Sequence, residues 1–361
     1  MFKRRASAAA LCLMLAVASA IRHAPLELRR SIPAAANAKI RMEAEEEENK
    51  SVQNGIVSRH SKTYSPAQCE RELKALHERY PDQTELSRIG TSVLGQPIWA
   101  LSIGAAAETA KTRVLVQAGM HGREWINVQI VMAQIEDYLG QERYAALLRE
   151  TALVFVPMCN PDGVRIAQEG ADWIEDEAAR ADVQRWIDES GEPYDQWKAN
   201  GRGVDLNRNF DARWDEQTEE RATAGPAYAF YRGENPESEP ETQALVELTN
   251  DFGPDSTISY HSRGEYIYWY FGQTGEVLDR DETLALRIRD LTGYACLTRE
   301  NADVDSFAGY KDWCVEKLGI PAFTIENGAN EWGVPVPIEH FDEIYRCSRD
   351  ITALVARELN R

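Results

Sequence analysis

RVLVQAGMHGREWINVQI, Arg113 to Ile130, begins as a short apolar run, passes through a glycine and continues as an apolar stretch of helical spacing. The run Val114-Leu115-Val116 has the length and β-branched content of a buried strand, and Gly119 punctuates its end. From about Arg123 to Leu139 the pattern is that of a helix. Between the two stand His121 and Glu124. Positions i and i+3 share a helix face, so this pair is able to grip one metal ion. Alone it is equally an ordinary polar first turn.

Working outward, the same alternation repeats. Pro66 to Tyr80 has helical spacing, with Leu73, Leu76 and Tyr80 apolar, and Ile98 to Ile103 is strand-like. Ala152 to Pro157 (ALVFVP) reads as a strand buried on both faces. Ser256 to Tyr260 and Ala322 to Ile325 are two further short β-type runs. Such alternation predicts an α/β domain with a mixed, mostly parallel twisted sheet and helices on both faces.

Each run ends on chemistry. Arg113–Gln117 leads to His121 and Glu124, and Ala152–Pro157 to the turn-type sequence Asn160-Pro161-Asp162-Gly163. Ser256–Tyr260 ends on His261, and Ala322–Ile325 on Glu326. Ligands of open α/β sheets bind beyond the carboxyl ends of the strands. Singly, His261 reads as a satisfied core histidine and Glu326 as the partner of a lysine; it is convergence at one edge that points to a site. Two histidines and one carboxylate with an open fourth position make a catalytic zinc site. The ion would act as a Lewis acid and lower the pKa of bound water toward ~7, with Glu326 as the base that takes the proton.

The whole chain sets bounds on this. Its 361 residues suffice for one large α/β domain or two small ones. A net charge of −19 argues against nucleic acid and acidic membrane surfaces as partners. Lys3, Arg4 and Arg5 precede an apolar run from Ala8 to Val17 and then Ala18-Ser19-Ala20, the pattern of a secretory signal at 1–20. We therefore expect export, to the exterior or the cell envelope, with no membrane span after signal removal. Residues 21–60, Ala-rich and then acidic through Glu45–Glu48, read as a flexible tail, and 61–361 as the catalytic domain. Signal removal takes Cys12 and leaves five cysteines, an odd number without a CxxC spacing.

At RGVDLNRNF, Arg202 to Phe210, the chain shows a family likeness. With HGREW at His121, NPDG at Asn160, SYHS at Ser259 and FTIENG at Phe323, it resembles the zinc metallocarboxypeptidases from Tyr64 to its end. The resemblance implies one zinc ion held by His121, Glu124 and His261, and Glu326 as general base. It implies that Asp205 orients His121, that Asn207 and Arg208 dock the substrate's free carboxylate, and that Arg123 faces the residues across the cleaved bond. The family places an arginine for the carbonyl oxygen seven positions before the aspartate of DLNR, or further upstream. Here that position is Lys198, which carries the charge without the planar fork, and Arg202 is a candidate to share the task. The family's substrate-covering tyrosine would fall at Val304, with Tyr294 and Tyr310 near in sequence.

In digestive members, the residue before the Asp of an xDW element floors the specificity pocket, and GYKDW puts Lys311 there. A lysine facing a pocket is costly to desolvate unless an anion meets it; a lysine turned to solvent has no such consequence. An inward Lys311 implies a substrate side chain bearing a carboxylate: glutamate, aspartate or meso-diaminopimelate. WKAN, GVDLNRNF and GYKDW together look most like the bacterial branch that hydrolyses the γ-D-glutamyl–diaminopimelate bond of peptidoglycan stem peptides. The alternatives are a general secreted carboxypeptidase with acidic preference and a non-catalytic zinc- or peptide-binding module.

Overall fold

Residues 55–217, 223–297 and 307–360 are described by a computed structural model. The expected signal sequence, the tail as far as residue 54, and Val304 lie outside the described residues. The chain runs α1 (Pro66–Arg79), β1 (Thr84–Thr91), β2 (Pro97–Gly104), β3 (Thr112–Ala118), α2 (Ile126–Gly140), α3 (Glu142–Leu148) and β4 (Thr151–Val156). It continues through α4 (Pro161–Glu169), α5 (Glu177–Ser190), α6 (Pro240–Phe252), β5 (Ser256–His261), β6 (Tyr266–Tyr268), α7 (Gly275–Thr292) and β7 (Ala295–Cys296). Last come α8 (Tyr310–Trp313), β8 (Ala322–Glu326), α9 (Phe341–Ser348) and α10 (Ile351–Leu359).

These strands form one eight-stranded sheet in the order β1-β2-β4-β3-β5-β8-β6-β7. The central four, β4-β3-β5-β8, are mutually parallel. Antiparallel pairings join β1 to β2, β2 to β4, and β6 to β8. Every residue of β4 and β5 is buried, because helices cover both faces. Val114, Val116, Leu153 and Phe155 point into a core with α1, α2, α7 and α10. Their neighbours Leu115, Val154 and Val156 point the other way, against α6 and α8. That alternation within unbroken apolar runs is the sequence signature of a sheet buried on both sides. Truncating Phe155 to alanine would cost about 3–5 kcal/mol.

Helix starts are written locally. Ser65 accepts from Gln68 N at 3.2 Å and Pro66 occupies the first turn of α1. Asn160 accepts from Gly163 N at 2.8 Å, with Pro161 likewise in the first turn of α4. NPDG is thus a helix start rather than only a turn, the side-chain oxygen and the missing proline N–H serving the end of the helix where donors are unmatched. Two boundaries differ from expectation. Glu124 sits in a 3₁₀ turn, Gly122–Glu124, that precedes α2. Ile56 to His60, expected within the tail, belong to the fold: Arg59 is buried and bonds Asp137 and Glu136 of α2 at 2.5 and 3.0 Å. A buried guanidinium needs such carboxylates, and α2 supplies them.

Candidate metal centre and active-site cavity

The sheet register brings the site together. His261 ends β5 and Glu326 ends β8, and the two are directly paired across the parallel ladder. His121 and Glu124 follow β3, the neighbour of β5 on its other side. Their turn is seated by backbone contact: Gly122 N donates to Lys198 O at 3.2 Å and Arg123 N to Trp197 O at 2.8 Å. A Cβ on Gly122 would stand 2.2 Å from Gly163 O, so no side chain fits between the HGRE and NPDG segments. A buried relay then ties the strand ends to α2. Tyr294 Oη donates to Asn327 Oδ1 (3.2 Å), Asn327 Nδ2 to Asn127 Oδ1 (2.9 Å), and Asn127 Nδ2 to Ser262 Oγ (3.0 Å).

His121 Nδ1 lies 2.8 Å from Glu124 Oε1 and 3.2 Å from His261 Nδ1, and His261 Nδ1 lies 3.1 Å from Glu124 Oε2. All three side chains are buried. Two neutral imidazoles would set lone pairs against each other here, an arrangement that a cation relieves. Tetrahedral ligands about 2.0–2.1 Å from zinc are separated by roughly 3.3 Å, close to these spacings. The donor set therefore fits zinc. Burial opposes ionisation of Glu124, but His121 and His261 outweigh it and hold its carboxyl well below the usual carboxylate range.

Asp205 caps the 3₁₀ turn Leu206–Arg208 and sets Oδ1 3.1 Å from His121 Nε2, leaving Nδ1 for the cluster. Its Oδ2 accepts from Phe230 N at 3.2 Å and lies 3.8 Å from both Lys198 Nζ and Arg208 Nε. Against the burial penalty, Lys198 first, then His121 and Arg208, keep Asp205 well below the ordinary carboxylate range. Phe230, in the left-handed region at φ 68°, places its ring 5.0 Å from Lys198 Nζ and 5.2 Å from Arg208 Cζ. Burial, offset by His261 and reinforced by the Glu124 charge, pushes the Glu326 carboxyl up to about 7.

A cavity of about 310 Å³ opens on these groups. Its lining includes His121, Lys198, Asp205, Asn207, Arg208 and Glu326, and a second group, Lys311, Asp312 and Arg213, gathered about Phe271. Lys311 turns inward: Nζ donates to Tyr270 O at 3.1 Å and pairs with Asp312. Arg202 does not join the cavity lining; its side chain is 55% exposed and pairs with Glu239 at 3.5 Å. Arg123 also stays out of the lining, with Nη1 3.4 Å from Gln196 Oε1. Tyr294 and Tyr310 are buried and engaged elsewhere, Tyr310 Oη lying 2.8 Å from Thr249 Oγ1, so neither covers the cavity. Tyr268 and Tyr270 line it instead.

Comparison with known proteins agrees with this geometry. Residues 69–346 match the zinc carboxypeptidase family. The chain is 33% identical over 78% of its length to a γ-D-glutamyl-L-diamino acid endopeptidase 1 of Lysinibacillus sphaericus, covering 69% of that protein. It is 30% identical over 80% of its length to the uncharacterised protein YqgT of Bacillus subtilis, covering 76% of it. The fold is similar to that of carboxypeptidase A from Helicoverpa armigera, with a TM-score of 0.67 and 17% identity across 89% of this chain and 81% of that one. With its strand-end donors and its cavity accounted for, the chain belongs to the zinc carboxypeptidase family.

Proposed function

We propose that this peptidase hydrolyses the bond between a γ-D-glutamyl residue and a diamino acid whose α-carboxylate is free, with meso-diaminopimelate of peptidoglycan stem peptides as that residue. The observation that carries the reading is the one cavity shared by Glu326, the carboxylate-docking candidates Asn207 and Arg208, and an inward Lys311. The named activity of the Lysinibacillus relative supports it. So does the signal-like N-terminus, which would deliver the protein to the cell envelope.

Arg208 and Asn207 hold the free α-carboxylate and so fix which bond reaches the metal centre. Lys198 faces the carbonyl oxygen as charge develops on it. His121, Glu124 and His261 would hold the zinc ion, which when bound would supply Lewis-acid chemistry. Glu326 accepts the water proton on its carboxylate and hands it to the leaving nitrogen. Asp205 keeps the His121 ring oriented, and Arg123, outside this cavity and held by Gln196, is left to the substrate residues on the far side of the bond. Lys311 reads the distal carboxylate of the side chain.

Mass-spectrometric product analysis tests this on L-alanyl-γ-D-glutamyl-meso-diaminopimelate and on blocked α-linked peptides. Release of diaminopimelate alone is expected. Release of C-terminal residues from the α-linked set alone would make the protein a general carboxypeptidase. Binding without turnover would make it a module. Glu326→Gln is expected to keep its zinc, measured by plasma mass spectrometry, and to lose about 10²–10⁴-fold in kcat.

A further inference from the structure

The cavity lining includes Arg213, a residue outside every sequence motif of the site. Arg213 follows the DLNRNF motif by three residues and sits in the left-handed region at φ 49°. Its Cζ lies 4.6 Å from the ring centre of Phe271, and Lys311 Nζ lies 5.3 Å from the same ring. Two like charges are thus held against one aromatic ring beside a cavity. Each has a carboxylate of its own: Arg213 Nε is 3.4 Å from Glu316 Oε1, and Lys311 pairs with Asp312. An ammonium has three donors, and Lys311 uses two, on Tyr270 O and Asp312. Arg213 donates through Nε, and among the described residues its terminal nitrogens have no hydrogen-bond partner. Gly272 makes the space for them, since a Cβ there would come within 2.9 Å of Arg213 Nη2.

We infer that Arg213 and Lys311, braced on Phe271, form a two-cation clasp for a carboxylate at the end of a long substrate side chain. The ring offers an apolar wall to the methylenes leading there, and the unused N–H groups converge on the terminal oxygens. Among diamino acids the clasp selects the dicarboxylic one. This deepens the proposed function and rests on it.

The test compares kcat/KM on L-alanyl-γ-D-glutamyl-meso-diaminopimelate and L-alanyl-γ-D-glutamyl-L-lysine. Lysine is diaminopimelate with the distal carboxylate replaced by hydrogen, so the ratio of the two isolates the clasp. The wild type should favour diaminopimelate, and Arg213→Gln should lower the ratio roughly tenfold or more. Arg213→Lys should restore part of it. Glu316→Gln, which keeps Arg213 and removes the competing carboxylate, should raise it; this arm holds even where Arg213→Gln folds poorly. Calorimetry with free meso-diaminopimelate and with free lysine gives the same comparison without turnover. A wild type that cleaves neither substrate overturns the bond assignment, and the clasp with it. A wild type that cleaves both while all three variants leave the ratio unchanged overturns the clasp alone.

Discussion

Two cation pairs share the cavity, each laid on one phenylalanine, and they are charged differently. In the first, Lys198 and Arg208 rest on Phe230 and share a single carboxylate, Asp205, at 3.8 Å from each. That carboxylate is also committed to His121. In the second, Arg213 and Lys311 rest on Phe271, and each has its own carboxylate, Glu316 and Asp312. The first pair has two cations to one directly paired carboxylate, with Glu326 in the same cavity also within the field of Lys198. The setting is half-buried, and Coulomb attraction there is several-fold stronger than in water. On the proposed function it would pull on an oxygen that gains charge. The second pair is balanced, and on the inference drawn above it would discriminate by where its remaining donors point. The first group would then act on developing charge, and the second would read the substrate side chain.

The largest break in this contrast should come from Lys198→Ala. We expect kcat to fall about 10²–10³-fold with little change in KM, because the lost donor acts on charge that exists only in the transition state. An effect confined to KM would move Lys198 to the reading side. Lys311→Met should do the converse, lowering kcat/KM on the diaminopimelyl substrate roughly tenfold, chiefly through KM. It should also lower the melting temperature, since Asp312 is left buried without its cation.

A smaller effect separates the two groups by pH. The loop carrying Lys198 rests on buried acids: Asn200 Nδ2 donates to Glu239 Oε2 at 2.7 Å and Glu241 Oε2 at 3.2 Å. Burial, reinforced by the Asp162 charge, pushes the Glu241 carboxyl up to about 8, and burial pushes Asp162 up to about 6. Both folded values exceed those of the unfolded chain, so the protonated forms favour folding. Their contribution is complete below about pH 4 and is lost as pH rises through the two folded values. Melting curves between about pH 6 and 9 should therefore fall less steeply for Glu241→Gln than for wild type; parallel curves would show that Glu241 is already ionised in the fold. Smallest of all is Arg202→Ala. Exposed and paired outside the cavity, Arg202 should change kcat by less than about twofold. A larger loss would return it to the carbonyl oxygen.

The three metal-ligand candidates and Glu326 were legible in the sequence because they follow short β-type runs, where a strand's position fixes what comes at its end. Lys198, Asp205, Asn207 and Arg208 were legible only through the family resemblance. His261 and Glu326 extend β5 and β8 by one residue beyond the apolar runs that announced them. The outer strands were not legible. β1 presents only half-buried and exposed residues, and β6 and β7 are three and two residues long, too short for any period to register. Arg202 misled because sequence adjacency to the DLNR motif says nothing about which way a side chain turns, and Glu239 turns it away. Phe230, Phe271 and Arg213 were silent for a related reason. Ring–cation contacts such as Phe271 with Arg213 join residues far apart in the chain, and no local pattern encodes them. The Tyr294–Asn327–Asn127–Ser262 relay is of the same kind, with each member an unremarkable polar residue in its own segment.

The glycine at 122 has a consequence for redesign. Where two segments meet through side chains, a change in one is absorbed by rotamers in the other, and the whole interface drifts as residues are exchanged. At Gly122 and Gly163 the HGRE and NPDG segments meet backbone to backbone, and the Asn160 side chain is itself tied to Met120 O and Ala199 O, so the spacing of the zinc-holding turn is tightly set by the peptide chain. Glu316, Arg213 and Lys311 stand on other segments. The group about Phe271 can thus be rewritten for a new side chain while the dimension that governs catalysis stays constant, which makes substrate choice the adjustable part of this molecule.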